Sequence, residues 1–295
     1  MTTPVTLSPA PTGTAVLSGI ELARTIRGRV ARTAAELTAA GTLPRLAVVV
    51  ANDDESSAWY VRSIAKAAAA TGIHCEVVDL GPDVGPERIR AALRTLSDDV
   101  AVHGIMLQTP LPPDASVEDL AAAIAPEKDV DGVNPLSLGR LAAGLPAFAP
   151  ATAAAVMALL DHHEVPLAGR NAAVVGRSNV VGKPVAQLLL QRDATVTVCH
   201  RHTKDLAELT RPAEVLVVAV GRIGLITAEH VAPDAVVVDV GTNPTPDGGL
   251  VGDVDAAAVT GRVAGLTPVP GGVGPVTTAL LLQHTVRSAA RPAAT

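Results

Sequence analysis

Apolar and polar positions in the first half of the chain follow two alternating spacings. Residues 18–40 repeat apolar side chains at helical spacing, and residues 46–51 form a short β-branched run typical of buried parallel strands. The same pattern predicts further helices at 57–71, 86–97 and 116–125, and strands at 74–80 and 102–108. Strands that alternate with helices indicate βαβ units and a parallel sheet.

The pattern restarts after residue 150. A helix over residues 150–163 is predicted as a connector, and a further helix begins at Gly182. Strands are predicted at 171–176, 195–199, 215–220 and 235–241. A chain of 295 residues is long enough for two domains, so we expect an α/β protein with a boundary near residue 150.

The composition excludes several classes of partner. With 23 basic and 29 acidic residues, the chain has a net charge of −6, whereas a sequence-independent grip on nucleic acid needs a basic surface. No stretch approaches the roughly 20 apolar residues of a membrane span, and the first residues lack the pattern of a secretory signal. Two lone cysteines, Cys75 and Cys199, suit a reducing compartment. We expect a cytoplasmic protein.

The stretch GRSNVVGKP (176–184) follows a predicted strand and opens a helix. Its glycines, Gly176 and Gly182, have the spacing of a stretched dinucleotide-binding loop, with Ser178 at the position of the second glycine. Such a loop makes a tight turn and directs free N–H groups of a helix N-terminus at phosphate. Alone, the loop is equally consistent with a structural turn, but its place between strand and helix favours a nucleotide site.

The residues after the next strand bear on which dinucleotide binds. Sites for NAD usually have an acidic residue there, which bonds the ribose hydroxyls. This chain has His200, Arg201 and His202, and its first acidic residue is Asp205. A cationic cluster suits the 2′-phosphate of NADP, to which Arg177 would add a further cation. We therefore predict NADP; the alternative is a basic corner exposed to solvent.

Three further glycine-rich stretches stand out: GRIG (221–224), DVGTNP (239–244) and PVPGGVGP (268–275). The first two follow predicted strands, where a doubly wound fold has its ligand crevice. The third combines rigid prolines with glycines and indicates a shaped loop that a flat ligand can approach. The histidines lack further ligands at metal-binding spacing, so no metal site is predicted.

Several motifs together resemble the methylenetetrahydrofolate dehydrogenase/cyclohydrolase family. They are GIMLQTPLP, PEKDVDG, GRSNVVGKP and TPVPGGVGPVTTALLLQHTV, in the family's order and spacing, between about residues 17 and 286. The resemblance implies an N-terminal α/β catalytic domain (1–149 with 276–295) and a Rossmann-like, doubly wound NADP-binding domain (150–275). It also implies that folate binds in the cleft between the two domains.

The resemblance further implies a reaction. Members of the family oxidise methylenetetrahydrofolate to the methenyl form by hydride transfer to the nicotinamide cofactor. Most members then hydrolyse the methenyl form to 10-formyltetrahydrofolate, and they usually act as homodimers. The expected partners are therefore tetrahydrofolate one-carbon derivatives and a second copy of the chain.

The family motif S-x-x-Y-V-x-x-K falls on residues 57–64. By this resemblance, Ser57 binds substrate and Tyr60, one of only three aromatic rings in the chain, packs against the folate rings. Gln108 supports the catalytic lysine, and Asp131 holds the amino and ring N–H groups of the pterin. Further implied contacts are Pro270, Gly271 and Gly272 with folate, and Gly176, Arg177, Ser178, Gly182, His200, Arg201 and Thr242 with the cofactor.

The lysine of this motif is missing, because its position holds Ile64. Lys66 matches a second basic position of the family, but on a helix of ~100° per residue it points roughly 120° away from Tyr60. Isoleucine cannot move a proton, and general acid–base catalysis is typically worth ~10²–10⁴ in rate. We therefore predict dehydrogenase activity with weak or lost cyclohydrolase activity.

Four alternatives remain open from the sequence. The enzyme could be fully bifunctional, with Lys66 or a water in the lysine's role, or it could be a paralogue that serves a dedicated pathway. It could be a non-catalytic folate- or NADP-binding partner, although the retained pterin-binding residues count against this. An unrelated Rossmann dehydrogenase would not explain the motifs outside the nucleotide domain.

Overall fold

The structure is a computed structural model that describes residues 13–291, which divide into two compact units. The six-stranded unit comprises residues 13–20 and 156–274, and the three-stranded unit comprises residues 21–155 and 275–291. Each is named after its parallel sheet. The chain passes between the two units after residues 155 and 274. The first of these boundaries lies within helix α6 (Ala151–His162), and the second lies within helix α10 (Val273–Ala289).

The three-stranded unit has the sheet order β3–β2–β4, with all strands parallel. The strand β2 lies at the centre because its run from Leu46 to Val50 is apolar on both faces and buried. The strands are β2 (Arg45–Val50), β3 (His74–Asp79) and β4 (Gly104–Leu107). The helices are α1 (Ile20–Ala39), α2 (Glu55–Ala70), α3 (Pro86–Asp98), α4 (Val117–Ala121), α5 (Pro135–Ala142) and most of α10.

The six-stranded unit has the sheet order β1–β11–β8–β7–β5–β6, and every neighbouring pair is parallel. Its strands are β1 (Ala15–Val16), β5 (Asn171–Val175), β6 (Thr195–Cys199), β7 (Val215–Val218), β8 (Val236–Asp239) and β11 (Gly265–Leu266). Its helices are α7 (Gly182–Leu190), α8 (Leu206–Thr210) and α9 (Ala256–Val259), and β9 (Asn243–Pro244) pairs antiparallel with β10 (Leu250–Val251). Because β6 and β7 lie on opposite sides of β5, the winding reverses there, as in doubly wound folds.

The predicted α/β class with parallel sheets is confirmed, but the division differs from the expected domain boundaries at the N-terminus. Residues 13–20 are expected, from the sequence, to belong to the catalytic domain. They group instead with the six-stranded unit, because β1 adds to the edge of its sheet. Backbone N–H groups of Ala15 and Leu17 donate to the carbonyls of Ala264 and Leu266, at 2.8 and 2.9 Å.

Most of the predicted elements agree with the observed ones within a few residues, whereas the two-residue strands and some short helices were not predicted. The strand at 195–199 has the predicted bounds, and α4 ends four residues earlier than predicted. The two-residue strands β1, β9, β10 and β11 carry no detectable period, and α5 was not predicted. Among residues 13–291, no helix is long and apolar enough to cross a membrane.

Candidate functional site

Helix α2 carries the S-x-x-Y-V-x-x-I sequence and buries one face. The helix begins at Asp54, whose side chain accepts a hydrogen bond from the backbone N–H of Ser57 at 2.7 Å. Its buried side chains recur at helical spacing: Ser57, Val61, Ile64 and Ala68. Tyr60 is half-buried beside this face, and its neighbour Trp59 is exposed.

Ile64 is fully buried on this face, with a relative exposure of 0%. The two basic residues closest to it on the helix, Arg62 and Lys66, are exposed. The ammonium of Lys128 is also engaged elsewhere, because it donates to the carbonyls of Ser97 and Asp99 at 2.6 and 2.7 Å. Isoleucine therefore occupies a buried apolar position, and none of these three cations takes the place of the missing lysine there.

The loop between α4 and α5 presents Asp131. The carboxylate of Asp129, which is fully buried, accepts hydrogen bonds from the backbone N–H groups of Val133 and Asn134 at 3.0 and 2.9 Å. Gly132 has φ of +70°, and a Cβ there would lie 2.5 Å from backbone atoms of Ala149 and Pro150, so only glycine fits. These contacts fix the backbone on both sides of Asp131.

Tyr60, Asp131 and Thr278 lie together in the three-stranded unit. Burial, and then the nearby carboxylate of Asp131, raise the pKa of the Tyr60 phenol to about 12, while a side-chain hydrogen bond with Thr278 opposes the rise. Burial, with repulsion from Asp129, raises the pKa of Asp131 to about 7, opposed by a hydrogen bond from the backbone N–H of Ala151. Asp131 therefore gains from any ligand that donates hydrogen bonds to its carboxylate.

Two buried polar atoms of the same unit have no hydrogen-bond partner among residues 13–291. They are the hydroxyl oxygen of Ser57 and the carbonyl oxygen Oε1 of Gln108, whose residues are 3% and 6% exposed. The amide nitrogen of Gln108 donates to the carbonyl of Thr109 at 2.6 Å. Buried polar groups are nearly always paired, so these two acceptors indicate a binding site for a hydrogen-bond donor.

The glycine loop of the six-stranded unit requires its glycines for its own geometry. Gly176 has φ of +125°, and a Cβ there would overlap the carbonyl oxygen of Ala219; a Cβ at Gly182 would overlap the backbone of Gly176. The hydroxyl of Ser178 accepts hydrogen bonds from the N–H groups of Val181 and Gly182 at 3.1 and 3.4 Å. Ser178 therefore accepts from two of the N–H groups at the start of α7, that of Val181 just before the helix and that of its first residue, Gly182.

The donor set around this loop nevertheless fits an anionic dinucleotide. The guanidinium of Arg177 and the hydroxyl of Ser178, which retains its own proton to donate, are exposed at the carboxyl end of β5. At the end of β6, Arg201 and His202 are exposed, and the guanidinium Nε of Arg201 donates to Nε2 of His202 at 3.1 Å. His200 is half-buried beside them.

The remaining predicted site residues lie in the loops that follow β8 and β11. Thr242 is exposed after β8. Pro270 is exposed and Gly271 half-buried, and the carbonyl of Gly271 accepts a hydrogen bond from the N–H of Gly19 at 2.9 Å. Gly272 is buried, and a Cβ there would lie 2.6 Å from the carbonyl oxygen of Pro268. A cavity of about 590 Å³ adjoins this region, lined in part by Thr267, Pro268 and Val269.

Several residues near these candidate sites were not predicted from the sequence. Thr278 lies within α10, where its helical spacing is indistinguishable from that of its neighbours. Asp253 was not predicted, and Asp239 was included only as the first residue of the stretch DVGTNP. Both are buried in the six-stranded unit and accept backbone hydrogen bonds, a role that the residues next to them in the sequence do not indicate. Within residues 13–291, no group of three or more His, Cys, Asp or Glu side chains could hold a metal ion.

Comparison with protein families finds two adjacent matches. Residues 17–131 match the catalytic domain of tetrahydrofolate dehydrogenase/cyclohydrolase, and residues 150–293 match the NAD(P)-binding domain of the same family.

Similar proteins cover almost the whole chain. A protein of Saccharopolyspora erythraea named bifunctional protein FolD 1 is 74% identical over 96% of this chain and 97% of its own length. The protein of that name from Rhodococcus jostii is 66% identical over 92% of both chains. Among solved structures, bifunctional FolD of Campylobacter jejuni has a TM-score of 0.91 at 40% identity and covers 94% of this chain and 98% of its own. FolD of Trypanosoma brucei, solved with NADP and an inhibitor, has a TM-score of 0.89 at 37% identity and covers 94% and 97%.

Proposed function

The chain belongs to the tetrahydrofolate dehydrogenase/cyclohydrolase family, and on this premise we propose an NADP-dependent oxidation of methylenetetrahydrofolate to methenyltetrahydrofolate with little or no hydrolysis of the product. The observation that carries the second half of the proposal is Ile64, fully buried where the family motif has its lysine. The polar residues Ser57, Gln108 and Asp131 are retained. We therefore expect the oxidation step to be kept and the hydrolysis step to be lost.

The three-stranded unit supplies substrate recognition in this proposal. The carboxylate of Asp131, whose pKa is raised to about 7, accepts hydrogen bonds from the amino and ring N–H groups of the pterin and is thereby stabilised in its ionised form. The ring of Tyr60 packs against the folate, and its hydrogen bond with Thr278 fixes the ring's orientation. Ser57 and Gln108 offer their unpaired oxygens to donors on the ligand or on its bound water.

The hydrolytic step needs a group that moves protons to and from an attacking water. The Tyr60 phenol, with its pKa raised to about 12, stays protonated near neutral pH and therefore cannot accept a proton from water. The amide of Gln108 has no titratable proton, and Ile64 has no polar atom at all. Oxidation is less demanding, because hydride transfer requires mainly orientation from the protein.

The six-stranded unit supplies the cofactor site in this proposal. NADP, when bound, accepts the hydride. Arg201 and Arg177 are exposed at the ends of β6 and β5, where two parallel strands present them together to a 2′-phosphate. Guanidinium groups bind phosphate by bidentate, charge-assisted hydrogen bonds, which favours NADP over NAD.

The test is a single reaction followed by two signals. Purified protein is mixed with methylenetetrahydrofolate and NADP⁺, and NADPH and methenyltetrahydrofolate are recorded together. We expect methenyltetrahydrofolate to accumulate one-for-one with NADPH and then to decay at the rate measured without protein. Decay that accelerates in proportion to protein concentration would contradict the loss of hydrolysis, and the absence of both signals would contradict the oxidation.

Full bifunctionality is the second candidate. It is favoured by the relatives' names, since the Saccharopolyspora protein at 74% identity is called bifunctional. In that case a water bound between the Ser57 and Gln108 oxygens would carry the protons, and the same assay would show enzyme-dependent decay of the methenyl signal. We further propose that the protein acts as a homodimer in the cytoplasm; light scattering would test the dimer and cell fractionation the location.

A further inference from the structure

The carboxylate of Asp253 is fully buried and organises two loops of the six-stranded unit. Its Oδ2 accepts hydrogen bonds from the backbone N–H groups of Val220 and Gly221, at 2.7 and 3.0 Å. Its Oδ1 accepts from the N–H of Arg222 at 2.8 Å and from the side-chain amide of Asn243 at 2.9 Å. One side chain therefore holds the loop after β7 and, through Asn243 at the start of β9, the end of the loop after β8.

Asp253 is itself fixed by a second buried carboxylate, that of Asp239 at the end of β8. Oδ1 of Asp239 accepts from the N–H groups of Asp253 and Gly241 at 3.0 and 2.9 Å, and its Oδ2 accepts from that of Val254 at 2.9 Å. A Cβ at Gly241 would overlap the Asp253 carboxylate, and a Cβ at Gly252 would overlap that of Asp239. The two glycines thus allow the carboxylates to approach the backbone.

The order of strands in the sheet indicates which half of a bound dinucleotide would lie near the loops after β7 and β8. In a doubly wound sheet the dinucleotide lies across the carboxyl ends of the strands, at the point where the winding reverses. The Gly176 loop and the Arg201 cluster follow β5 and β6, on one side of this point. The loops held by Asp253 follow β7 and β8, on the other side, next to the cavity of about 590 Å³ that Asp239 and Gly252 help to line.

We propose that Asp253 is a positioning residue that holds the loops after β7 and β8 against the nicotinamide half of the cofactor. It does not touch the adenosine half, which belongs to the loops after β5 and β6. This inference rests on the proposed binding of NADP. It adds that the two halves of the cofactor site are held by separate contacts and can be weakened separately.

The experiment compares the binding of two probes to the whole protein, NADP⁺ and its fragment adenosine 2′,5′-bisphosphate, by calorimetry. In Asp253→Asn the amide cannot accept all the N–H groups that the carboxylate accepts, so the loops after β7 and β8 lose their fixed positions. We expect the Kd for NADP⁺ to rise at least about tenfold, while the Kd for the fragment stays within about twofold.

Two further variants keep the experiment decisive. Asn243→Ala removes a single hydrogen bond to Asp253, so it tests the positioning role even if Asp253→Asn does not fold. We expect a smaller, about threefold, rise in the Kd for NADP⁺ and no change in the Kd for the fragment. Asp234→Asn changes an exposed aspartate before β8 and should leave both probes unaffected.

The outcomes distinguish the inference from the proposed function. Equal weakening of NADP⁺ and fragment, or no weakening of either in Asp253→Asn and Asn243→Ala, would overturn the positioning role while leaving NADP binding intact. A wild-type protein that binds neither NADP⁺ nor the fragment would overturn the proposed function and the inference with it.

Discussion

The carboxyl group of Asp131 lies close enough to the phenol of Tyr60 to raise the phenol's pKa, although the two residues come from different elements of the three-stranded unit. The pKa of Asp131 is itself raised to about 7, mainly by burial, and none of the ion pairs among residues 13–291 includes it. Asp131 is half-buried, and an ionised carboxylate there without a cation needs another source of stabilisation. In the proposed function, the N–H groups of the pterin provide it.

Introducing a lysine at position 64 should restore hydrolysis. In Ile64→Lys the amine is placed on the buried face of α2 that also carries Ser57, and we expect enzyme-dependent hydrolysis of methenyltetrahydrofolate to rise by about 10²-fold or more. Single-turnover decay of the methenyl signal measures it. Ile64→Met, which changes the packing without adding a base, is the matched control. An equal gain in Ile64→Met would remove proton transfer as the explanation.

Binding of folate should depend on pH through Asp131. Because the carboxylate form accepts the pterin N–H groups and its pKa is raised to about 7, affinity is lost as the pH falls through that value. The KM for methylenetetrahydrofolate should rise about tenfold per pH unit well below 7, with the KM for NADP⁺ unchanged. In Asp131→Asn this dependence should disappear and the affinity should stay low at every pH. A dependence retained in the variant would assign it to another group.

Burial of Asp131 also predicts an effect on stability with a definite sign. Its folded-state pKa is above the unfolded value, so the folded protein holds the extra proton between about pH 4 and pH 7 and stability falls as the pH rises through this window. Asp131→Asn, which carries no charge, should therefore unfold at higher denaturant concentration than wild type above pH 7. The difference between the two proteins should vanish below about pH 4. A wild-type protein that is the more stable one at pH 8 would contradict the raised pKa.

Removing the unpaired hydroxyl of Ser57 should stabilise the protein and weaken substrate binding. An unpartnered buried polar group costs free energy, so Ser57→Ala should raise the free energy of unfolding by about 1 kcal/mol. The same change should raise the KM for folate several-fold. Chemical denaturation and steady-state kinetics measure the two effects. Ser137→Ala, which alters a buried serine that hydrogen-bonds Asp129, is the contrasting variant and should destabilise.

The basic cluster after β6 should determine cofactor choice. Arg201→Ser removes an exposed guanidinium that the proposal places on the 2′-phosphate, and hydrogen bonds to charged groups contribute about 1.5–3 kcal/mol. The KM for NADP⁺ should therefore rise about 10–100-fold, whereas the KM for NAD⁺ should hardly change. Arg211→Ser, an exposed cation after α8, is the matched control. Equal losses for both cofactors would instead indicate a general effect on the fold.

Local features of the sequence predict much of the architecture. After the first residues of β2 and β5, Arg45 and Asn171, the strands β2, β5 and β7 are apolar and buried throughout, and such continuous apolar runs are recognisable in the sequence. The glycine loop at Gly176 and the basic cluster at Arg201 were found because their chemistry depends on a few adjacent residues. The strands β1 and β11 could not be found, because a two-residue strand forms only through its partner.

The sequence by itself determined the family, the parallel α/β fold, the presence of a basic cluster around Arg201 and the replacement of the motif lysine by Ile64. Only the tertiary structure decided that Ile64 is fully buried, that Ser57 and Gln108 keep unpaired oxygens, and that Asp253 holds two loops. The physical reason is the range of the interactions. Periodicity and loop chemistry act over a few residues, whereas desolvation and the satisfaction of buried polar groups depend on segments brought together from distant parts of the chain.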